Sequence, residues 1–484
     1  MVFSLKSAFL FIRKTLKYGA VIAFTFLVAY SMFLIYNASR LPELQPWHLR
    51  HVMDDTITRT TYPDFDAYLK AEKKYLDKVY KEVAIPETKL FNRYAKNNAS
   101  SPYIEGKNLN ASFQMMPRGN TFRGGVLLVH GLTDSPYHIR ATAKLFAEHG
   151  FYVIGLRLPG HGTVPGALRK VKWQDWYQAV NFAADFVLKE VERRGGGKFY
   201  AAGFSTGGAL VLHFTLQGIV NKTHRVPDKL LFLSPAIGVM SAAKLANLHK
   251  MLSWMPWFEK LAWLDIQPEF DPFKYDSMPY NAGYQIYALT RENWELVETL
   301  KESNRLLMSL PDMFALQSLV DATVVAKELG KLYSEIASDR SRILLFGVNH
   351  RFDTIISEDI ARFTVDDIAS EKLKEKILFL SNEIYVSADA DTQIQQTLIT
   401  DYGNGEKIAF KNNWPRNVFA LSHVAIPIAP GDPVYGRYSA LGGLNVKGEY
   451  DVLAFGISFM RLRYNPFWDI VEKYVMEWFE LEAN

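Results

Sequence analysis

The chain has 484 residues, of which 49% are hydrophobic and 22% charged, a composition typical of a globular protein with a large core and not of a disordered chain. Its formal net charge of +4 is too small to indicate a nucleic-acid partner, and neither zinc-finger spacing nor a basic stripe is present in the sequence. Because the chain contains no cysteine, disulfides and thiolate chemistry are excluded, but this does not identify the compartment.

An uncharged segment of 22 residues, Tyr18–Ser39, lies between Lys17 and Arg40. As a helix it would be about 33 Å long, enough to cross a hydrocarbon core of about 30 Å. A buried helix of a soluble protein is disfavoured because no face of the segment is polar. A cleaved signal peptide stays open, but Tyr36 stands where cleavage expects a small residue, which favours an uncleaved anchor.

More cations precede this segment than follow it closely, which predicts a cytoplasmic N-terminus and a remainder exported to a periplasmic or other extracytoplasmic space. The cations are Lys6, Arg13, Lys14 and Lys17 before the segment and Arg40 and Arg50 after it. We therefore predict a cytoplasmic basic N-terminus over residues 1–17, a transmembrane anchor over 18–39 and an N-terminal extension over 40–118.

Within the extension, Asp64–Val83 has helical periodicity with one charged face. From residue 123 onward, apolar runs typical of buried strands alternate with helical patterns. The strand-like runs are GGVLLVHG, FYVIGLRLPGHG, KFYAAGF and KLLFLSPA, and the helices between them are HIRATAKLFAEHG, WQDWYQAVNFAADFVLKEVERR and TGGALVLHFTLQGIV. This alternation predicts an α/β fold with a mostly parallel sheet covered by helices on both faces.

The third strand-like run leads into Gly203-Phe204-Ser205-Thr206-Gly207, where a helix pattern begins. G-x-S-x-G in that setting is typical of a nucleophile elbow, in which a strained turn exposes the serine hydroxyl above the sheet. A glycine-rich turn with a helix-capping serine is the plainer interpretation, and the flanking strand and helix favour the nucleophile. Ser205 is therefore the candidate catalytic nucleophile.

A serine nucleophile needs a base, and it needs donors for the negative charge that forms on the carbonyl oxygen. The first strand-like run ends in His130-Gly131, which leaves the backbone amide of Leu132 at the carboxyl edge of the sheet. We predict that this amide and the amide of Thr206 form a two-donor oxyanion hole. We interpret His130 as a packing residue that shapes the turn and not as a catalytic group.

The segments LLVHGLTDSPYHIRATAKLFAEHGFYVIGLRLPGHG and GFSTGG resemble the α/β-hydrolase family, in particular its monoacylglycerol lipase, carboxylesterase and lysophospholipase-like members. The resemblance is strong over about residues 120–240 and looser over 311–484. It implies an eight-stranded, mostly parallel sheet, a cap inserted after the sixth strand, and a triad in the chain order serine, aspartate, histidine. The implied units are a first core part (119–240), a cap (241–310) and a second core part (311–484), with no metal or organic cofactor.

The acid of the triad is expected after a late strand of the sheet. Met313–Val320 has a strand pattern, Asp321 stands at its end, and a helix pattern begins near Val324. Members of the family place the triad acid on a strand-end loop of this kind. Asp321 is therefore the candidate acid, with a helix-capping role as the alternative.

Two histidines are candidates for the base, since RILLFGVNH ends in His350 and NVFALSH ends in His423. Simple family members have one strand between acid and histidine, which favours His350. They also have one final helix soon after the histidine, and a helix predicted at Phe467–Ala483 favours His423. Because SHVAIPIAPGDPVYG also resembles the histidine loop of long bacterial relatives, we predict His423. His350 stays open, since the chain departs from the simple pattern over residues 351–415.

The predicted cap is rich in aromatic side chains and methionine, most of which we expect to form the cap's own core. They are Met251, Trp254, Met255, Trp257, Phe258, Trp263, Phe270 and Phe273. An apolar inner face would suit an acyl chain or an aromatic ester. The sequence thus predicts a membrane-anchored serine hydrolase of carboxylic esters such as acylglycerols or lysophospholipids. An aminopeptidase-like amide hydrolase and an inactive interaction protein on the same fold stay open.

Overall fold

The computed structural model describes most of the chain. The described residues are 5–50, 60–86, 91–95, 98–119, 121–238, 256–352, 356–357, 364–386, 393–410, 413–439, 448–449 and 461–481. Part of the predicted cap core, namely Met251, Trp254 and Met255, lies outside them, as do the side chains of Trp257 and Phe258.

A long helix, α1 (Leu5–Arg40), begins the described chain. Within Arg13–Arg40, the most apolar window of 18 residues has a mean hydropathy of 2.0, and 0% of that window is buried inside the protein. A core helix of a soluble protein would be covered, so that interpretation does not fit. By length and composition α1 could cross a membrane, and a signal sequence passes the same test.

The N-terminal extension packs against the rest of the protein. Its elements are α2 (Pro46–Leu49), α3 (Phe65–Val83) and a hairpin of β1 (Tyr103–Ile104) with β2 (Lys107–Asn108). The predicted helix is confirmed, and Asp64 caps it by accepting a hydrogen bond from the Ala67 amide at 2.8 Å. On its buried face, Glu72 forms an ion pair with Nε of Arg157 at 2.8 Å, with both side chains almost fully buried. This contact fixes α3 to the loop that follows the strand Phe151–Leu156.

A ten-stranded sheet forms the centre of the described structure. Its strands are β3 (Phe113–Met115), β4 (Gly124–Val129), β5 (Phe151–Leu156), β6 (Lys198–Phe204), β7 (Lys229–Leu233), β10 (Asp312–Ser318), β11 (Arg342–Asn349), β12 (Ile377–Val386), β13 (Gln393–Asp401) and β14 (Glu406–Ala409). A separate two-stranded sheet pairs β8 (Trp263–Asp265) with β9 (Met278–Pro279). The spatial order of the large sheet is β14-β13-β12-β11-β10-β7-β6-β4-β5-β3.

Seven neighbouring strands, from β12 to β5 in that order, run parallel, while β3, β13 and β14 are antiparallel to the strands they pair with. The predicted mostly parallel sheet is confirmed. The strand number of eight is wrong, because residues 377–409 form β12, β13 and β14 and extend the sheet beyond β11. These strands occupy the part of the chain that departs from the simple family pattern.

Helices cover both faces of the sheet. One face carries α5 (Trp173–Arg193), α6 (Thr206–Asn221), α7 (Tyr280–Lys301) and α9 (Ala326–Ile336); the other carries α4 (Arg140–Glu148) and α11 (Trp468–Phe479). Two short helices, α8 (Asn304–Leu307) and α10 (Glu371–Lys374), lie in connections. In β4, Leu127 and Val129 face one core while Val126 and Leu128 face the other. Burial on both faces is why this strand is continuously apolar.

The predicted cap lies between β7 and β10, after the fifth strand of the described sheet in chain order and not after the sixth. Its described part contains a 3₁₀ turn at Pro256–Ala262, the β8–β9 pair, α7 and α8. Trp263 and Phe273 are both 1% exposed, and Phe273 stacks on Tyr137 with ring centres 3.7 Å apart. These two aromatic residues are packing groups, as we expected for most of the cap's aromatic residues.

Candidate active site

Ser205 lies between the end of β6 and the start of α6, as the elbow interpretation requires. Its φ is 53° and its ψ is −117°, a conformation that a residue with a Cβ atom rarely adopts. A Cβ atom on Gly203 would overlap the backbone of Gly207, and one on Gly207 would overlap the carbonyl of Val129. The two glycines are therefore needed for close approach, which allows the chain to turn within one residue.

The loop after β4 lies directly beside this turn. A Cβ atom on Gly131 would lie only 3.0 Å from Cβ of Ser205. The two predicted oxyanion donors lie next to these residues in the chain, because Leu132 follows Gly131 and Thr206 follows Ser205 as the first residue of α6. The first amides of a helix have no partner within the helix, so the position of Thr206 is consistent with the prediction that its amide binds an anion.

His130 has a structural role in this loop, as the sequence predicts. The Leu158 amide donates to Nε2 of His130 at 3.0 Å, so Nδ1 carries the proton and donates to the Gly131 carbonyl at 2.8 Å. Burial, reinforced by the neighbouring His161, holds the pKa of His130 well below its usual value. The neutral ring therefore connects the loops after β4 and β5.

Asp321 follows β10 and its side chain is fully buried. Its Oδ1 accepts hydrogen bonds from the amides of Thr323 at 2.8 Å and Val324 at 3.0 Å. Its Oδ2 accepts from Nε2 of Gln317 at 3.1 Å and lies 2.7 Å from Nδ1 of His423. Burial alone would raise the pKa of this carboxyl, but His423 and the amide donors outweigh it and the pKa is lowered. Asp321 is therefore an ionised acceptor facing the imidazole.

Of the two candidate histidines, the structure brings His423 to Asp321. His423 opens a 3₁₀ turn at His423–Ala425 and is 3% exposed. His350 opens another such turn directly after β11, is partly exposed and is not the hydrogen-bond partner of Asp321. The histidine that lies closer to the final helix, α11, is thus the one placed against the acid.

The His423 ring also lies near the elbow, with its centre 5.0 Å from the ring centre of Phe204, the residue before Ser205. Within the described part of the chain, no hydrogen bond joins the Ser205 hydroxyl to Nε2 of His423. Such contacts are often longer without substrate and tighten when it binds. The reach of His423 to Ser205 therefore stays a prediction.

Sequence reasoning missed several polar residues that hold this site. Glu449 accepts a hydrogen bond from the His423 backbone amide at 2.7 Å, and Arg461 pairs with Glu449. No local pattern distinguishes these two residues. Gln317 is different, because a glutamine inside the mostly apolar run MFALQSLV, four positions before Asp321, is a signal that could have been used.

Lys274, from the insertion between β7 and β10, contacts the loop that carries Leu132. Its ammonium donates to Oγ1 of Thr133 at 2.7 Å and to Oδ1 of Asp134 at 2.8 Å. Burial opposes ionisation of Asp134, but Lys274 outweighs it and lowers the pKa of that carboxyl to about 2. From the other side, Nη1 of Arg93 donates to the Lys274 carbonyl at 2.8 Å. The N-terminal extension thus supports the predicted oxyanion loop through Lys274.

In the part of the chain that the structure describes, no group of three or more histidine, aspartate or glutamate side chains is arranged to hold a metal ion.

Residues 120–342 match the model of a family described as serine aminopeptidase, S33. Over 89 residues the chain is 33% identical to a thermostable monoacylglycerol lipase of Bacillus sp. (strain H-257), which is 18% of this chain and 34% of the relative. Over 111 residues it is 32% identical to a carboxylesterase of Bacillus subtilis (strain 168), which is 22% of this chain and 44% of the relative. The chain thus spans less than half the length of the curated relatives it matches.

Among solved structures, the chain matches a monoacylglycerol lipase from Paleococcus ferrophilus with 19% identity, a TM-score of 0.35, and coverage of 49% of this chain and 87% of that one. A soluble variant of monoglyceride lipase from Saccharomyces cerevisiae has 14% identity, a TM-score of 0.37, and coverage of 48% and 81%. The family match includes Ser205 and Asp321 and ends before His423.

The strained backbone of Ser205 predicts an effect on stability that does not depend on activity. We expect Ser205→Gly to unfold with a free energy about 1 kcal/mol larger than Ser205→Ala. Glycine relieves strain of about 1–3 kcal/mol and loses about 0.5–1 kcal/mol through its flexibility in the unfolded chain. Urea denaturation of the two purified variants measures the difference.

The same pair of substitutions at Ser334, inside α9, is the matched control. There glycine should be less stable than alanine by about 1 kcal/mol, since the backbone is helical. If glycine were also the less stable residue at position 205, the turn would not be strained.

Proposed function

We propose that this protein is a serine hydrolase of the α/β-hydrolase type that cleaves carboxylic esters through an acyl-enzyme on Ser205. The family match over residues 120–342 and the similarity to a monoacylglycerol lipase and a carboxylesterase support this proposal. The observation that carries the proposal is the 2.7 Å hydrogen bond between Asp321 and His423, located beside the strained serine turn. An acid–histidine pair next to a serine elbow is the arrangement that activates a hydroxyl for acyl transfer.

In the proposed reaction, His423 accepts the proton of the Ser205 hydroxyl as its oxygen attacks the carbonyl carbon of the ester. Asp321 keeps Nδ1 of His423 protonated and stabilises the imidazolium that forms. The amides of Leu132 and Thr206 bind the oxyanion. His423 then gives the proton to the departing alkoxide, and water, activated by the same imidazole, hydrolyses the acyl-enzyme.

An apolar acyl ester is the proposed substrate class, with acylglycerols and lysophospholipids as examples. The curated relatives are named monoacylglycerol lipase and carboxylesterase, which supports an ester. An amide substrate is the second candidate, since the matching family model is described as serine aminopeptidase. Ester and amide hydrolysis would proceed through the same kind of acyl-enzyme. The two candidates differ in the leaving group, which is an alcohol for an ester and an amine for an amide.

We also propose that α1 is an uncleaved anchor, with its N-terminus in the cytoplasm and the hydrolase domain exported. The apolar span and the excess of cations before it support this orientation. At the other end of α1, Lys260 of the insertion donates to the Leu41 carbonyl at 3.1 Å and pairs with Glu43 at 2.9 Å. These contacts place the insertion beside the end of α1, which suits an enzyme that takes substrate from a membrane surface.

Ser205→Ala should lower ester hydrolysis by about 10⁴-fold or more, because the proposed chemistry has no other nucleophile. Turnover of p-nitrophenyl esters by purified protein measures the loss, and circular dichroism checks that the variant is folded. A fluorophosphonate probe should label the wild-type chain and not the variant. Near wild-type turnover by folded Ser205→Ala would disprove the serine mechanism, and an unlabelled wild-type chain would favour an inactive interaction protein.

A substrate series separates the two leaving groups. Esters of increasing acyl length and aminoacyl p-nitroanilides are compared by kcat/KM on the same preparation. The proposal expects esters to be preferred and the preference to increase with acyl length. Faster hydrolysis of the aminoacyl amides would favour the peptidase candidate while leaving Ser205 as nucleophile.

His423→Ala should lose nearly all activity, about 10³-fold or more, whereas His350→Ala should stay within a few-fold of wild type. Of the two candidate histidines, His423 is the one that the described structure hydrogen-bonds to Asp321, so we expect its loss to remove the base. Steady-state kinetics on the preferred ester, with the thermal midpoint of each variant, provides the comparison. The reverse result would assign the base to His350 and leave the nucleophile unchanged.

The proposed anchor predicts the behaviour of the protein in membranes. The full chain should stay in the membrane fraction after a carbonate wash, and a protease added outside the cytoplasm should digest the hydrolase domain but not a tag at the N-terminus. Deleting residues 1–39 should release the protein. A soluble mature chain that begins near Ser39 would show that the segment is a cleaved signal peptide.

A further inference from the structure

Glu449 and Arg461 connect the two loops of the candidate triad. Oε2 of Glu449 accepts a hydrogen bond from the His423 amide at 2.7 Å, and Oε1 lies 2.9 Å from Nε of Arg461. Nη2 of Arg461 donates to Oγ1 of Thr323 at 2.8 Å. The Thr323 amide donates to Oδ1 of Asp321 at 2.8 Å. Together with the Asp321–His423 hydrogen bond, these contacts form a closed ring of five residues, which we call the triad ring.

The Glu449–Arg461 pair of the triad ring is largely buried and rests on paired backbone, while Thr323 closes the ring at the surface. The Glu449 side chain is 0% exposed and the Arg461 side chain 11% exposed. Gly448 and Arg461 form a parallel β-bridge, and the Leu462 amide donates to the Gly448 carbonyl at 2.8 Å. The backbone therefore fixes the two charged residues relative to each other before their side chains reach the triad.

A buried ion pair of this kind is a poor source of stability. The cost of removing both charges from water largely cancels their attraction, and well-packed apolar residues often stabilise a core as well or better. Hydrogen bonds and ion pairs instead fix the relative positions of the groups that they join. The hydrogen bonds of the ring have defined donors and acceptors, so together with the Glu449–Arg461 ion pair they restrict how the His423 loop can shift relative to Asp321.

We propose that Glu449 and Arg461 are positioning residues that hold the His423 imidazole in register with Asp321 and Ser205. This inference rests on the proposed function, since it assigns a role within the same site. Glu449 fixes the backbone of the base, and Arg461 fixes the loop of the acid through Thr323. A displacement of about 1 Å at a reacting group can cost about 100-fold in rate, so this support affects kcat more than substrate binding.

Two conservative substitutions break the ring while keeping most of its packing. Thr323→Val removes the hydroxyl that Arg461 contacts but keeps the backbone amide that binds Asp321. In Glu449→Gln, the amide oxygen can face either the His423 amide or Arg461, so one of the two contacts is lost. We expect kcat to fall about 10-fold or more in Glu449→Gln and by a smaller factor in Thr323→Val, with KM within about two-fold of wild type.

Asp312→Asn is the matched control, because Asp312 begins β10, at the end of that strand opposite Asp321. It pairs with Arg340 at 2.9 Å and accepts a hydrogen bond from the Ser338 hydroxyl at 2.6 Å. The Asp312→Asn variant also weakens the contact of a carboxylate with an arginine, but at a more exposed pair far from Ser205. We expect its thermal midpoint to fall while kcat per active site stays within about two-fold of wild type.

Full-length variants are assayed on one ester, with active sites counted by fluorophosphonate titration and the thermal midpoint measured alongside. A lower kcat and slower probe labelling at unchanged KM, in the ring variants only, support the positioning role. The double variant Glu449→Gln with Thr323→Val should lose less than the product of the two single losses, because both break one ring. Wild-type kcat in folded Glu449→Gln would overturn the inference, even where Ser205→Ala is inactive.

Discussion

The hydrogen bond between Asp321 and His423 is the contact on which the candidate site depends, since it joins residues 102 positions apart. It can form because the chain returns to the end of β11 after adding β12–β14. There Val348 pairs with Ala420 in an antiparallel bridge, and the Asn349 side chain donates to the Val418 carbonyl at 2.8 Å. Loop-closure entropy grows slowly with length, so a long insertion is tolerated when its two ends meet at one strand end. The inserted strands therefore widen the sheet while the histidine stays at its carboxyl edge.

The sequence predicts best the features that short stretches of chain determine. Ser205 follows from a strand, a helix and two glycines within five residues, and Asp321 from its place at the end of an apolar run. The base is harder, because His350 and His423 both end strand-like runs, and only long-range pairing decides which one meets the acid. The number of strands in the sheet also depends on long-range pairing. Glu449 contacts His423 only in the folded chain, so no local sequence pattern indicates its role.

The N-terminal extension also has a physical connection to the site, although its sequence does not resemble the family. The Tyr275 amide donates to the Thr133 carbonyl at 2.8 Å, next to the contact of Lys274 with the Thr133 hydroxyl. Arg93 reaches the same insertion segment and lies over the Tyr275 ring, with its guanidinium carbon 5.0 Å from the ring centre. Buried, directed contacts of this kind restrict the loop that carries the predicted oxyanion donor, Leu132. The extension therefore helps to hold the loop of Leu132 at the carboxyl edge of the sheet, in addition to connecting α1 with the rest of the protein.

The candidate site is built partly from the region that matches the family model and partly from segments outside that region. The region that matches the family model, 120–342, contains the serine, the acid and both predicted oxyanion amides. The proposed base and the ion pair that supports it lie after that region, and Arg93 lies before it. The strained serine turn is built from residues inside this region, but proton transfer would need an imidazole nitrogen within about 2.6–3.2 Å of the hydroxyl. Similarity over 120–342 thus covers the candidate nucleophile and acid, while the proposed base is supplied by a segment that folds back from outside the region.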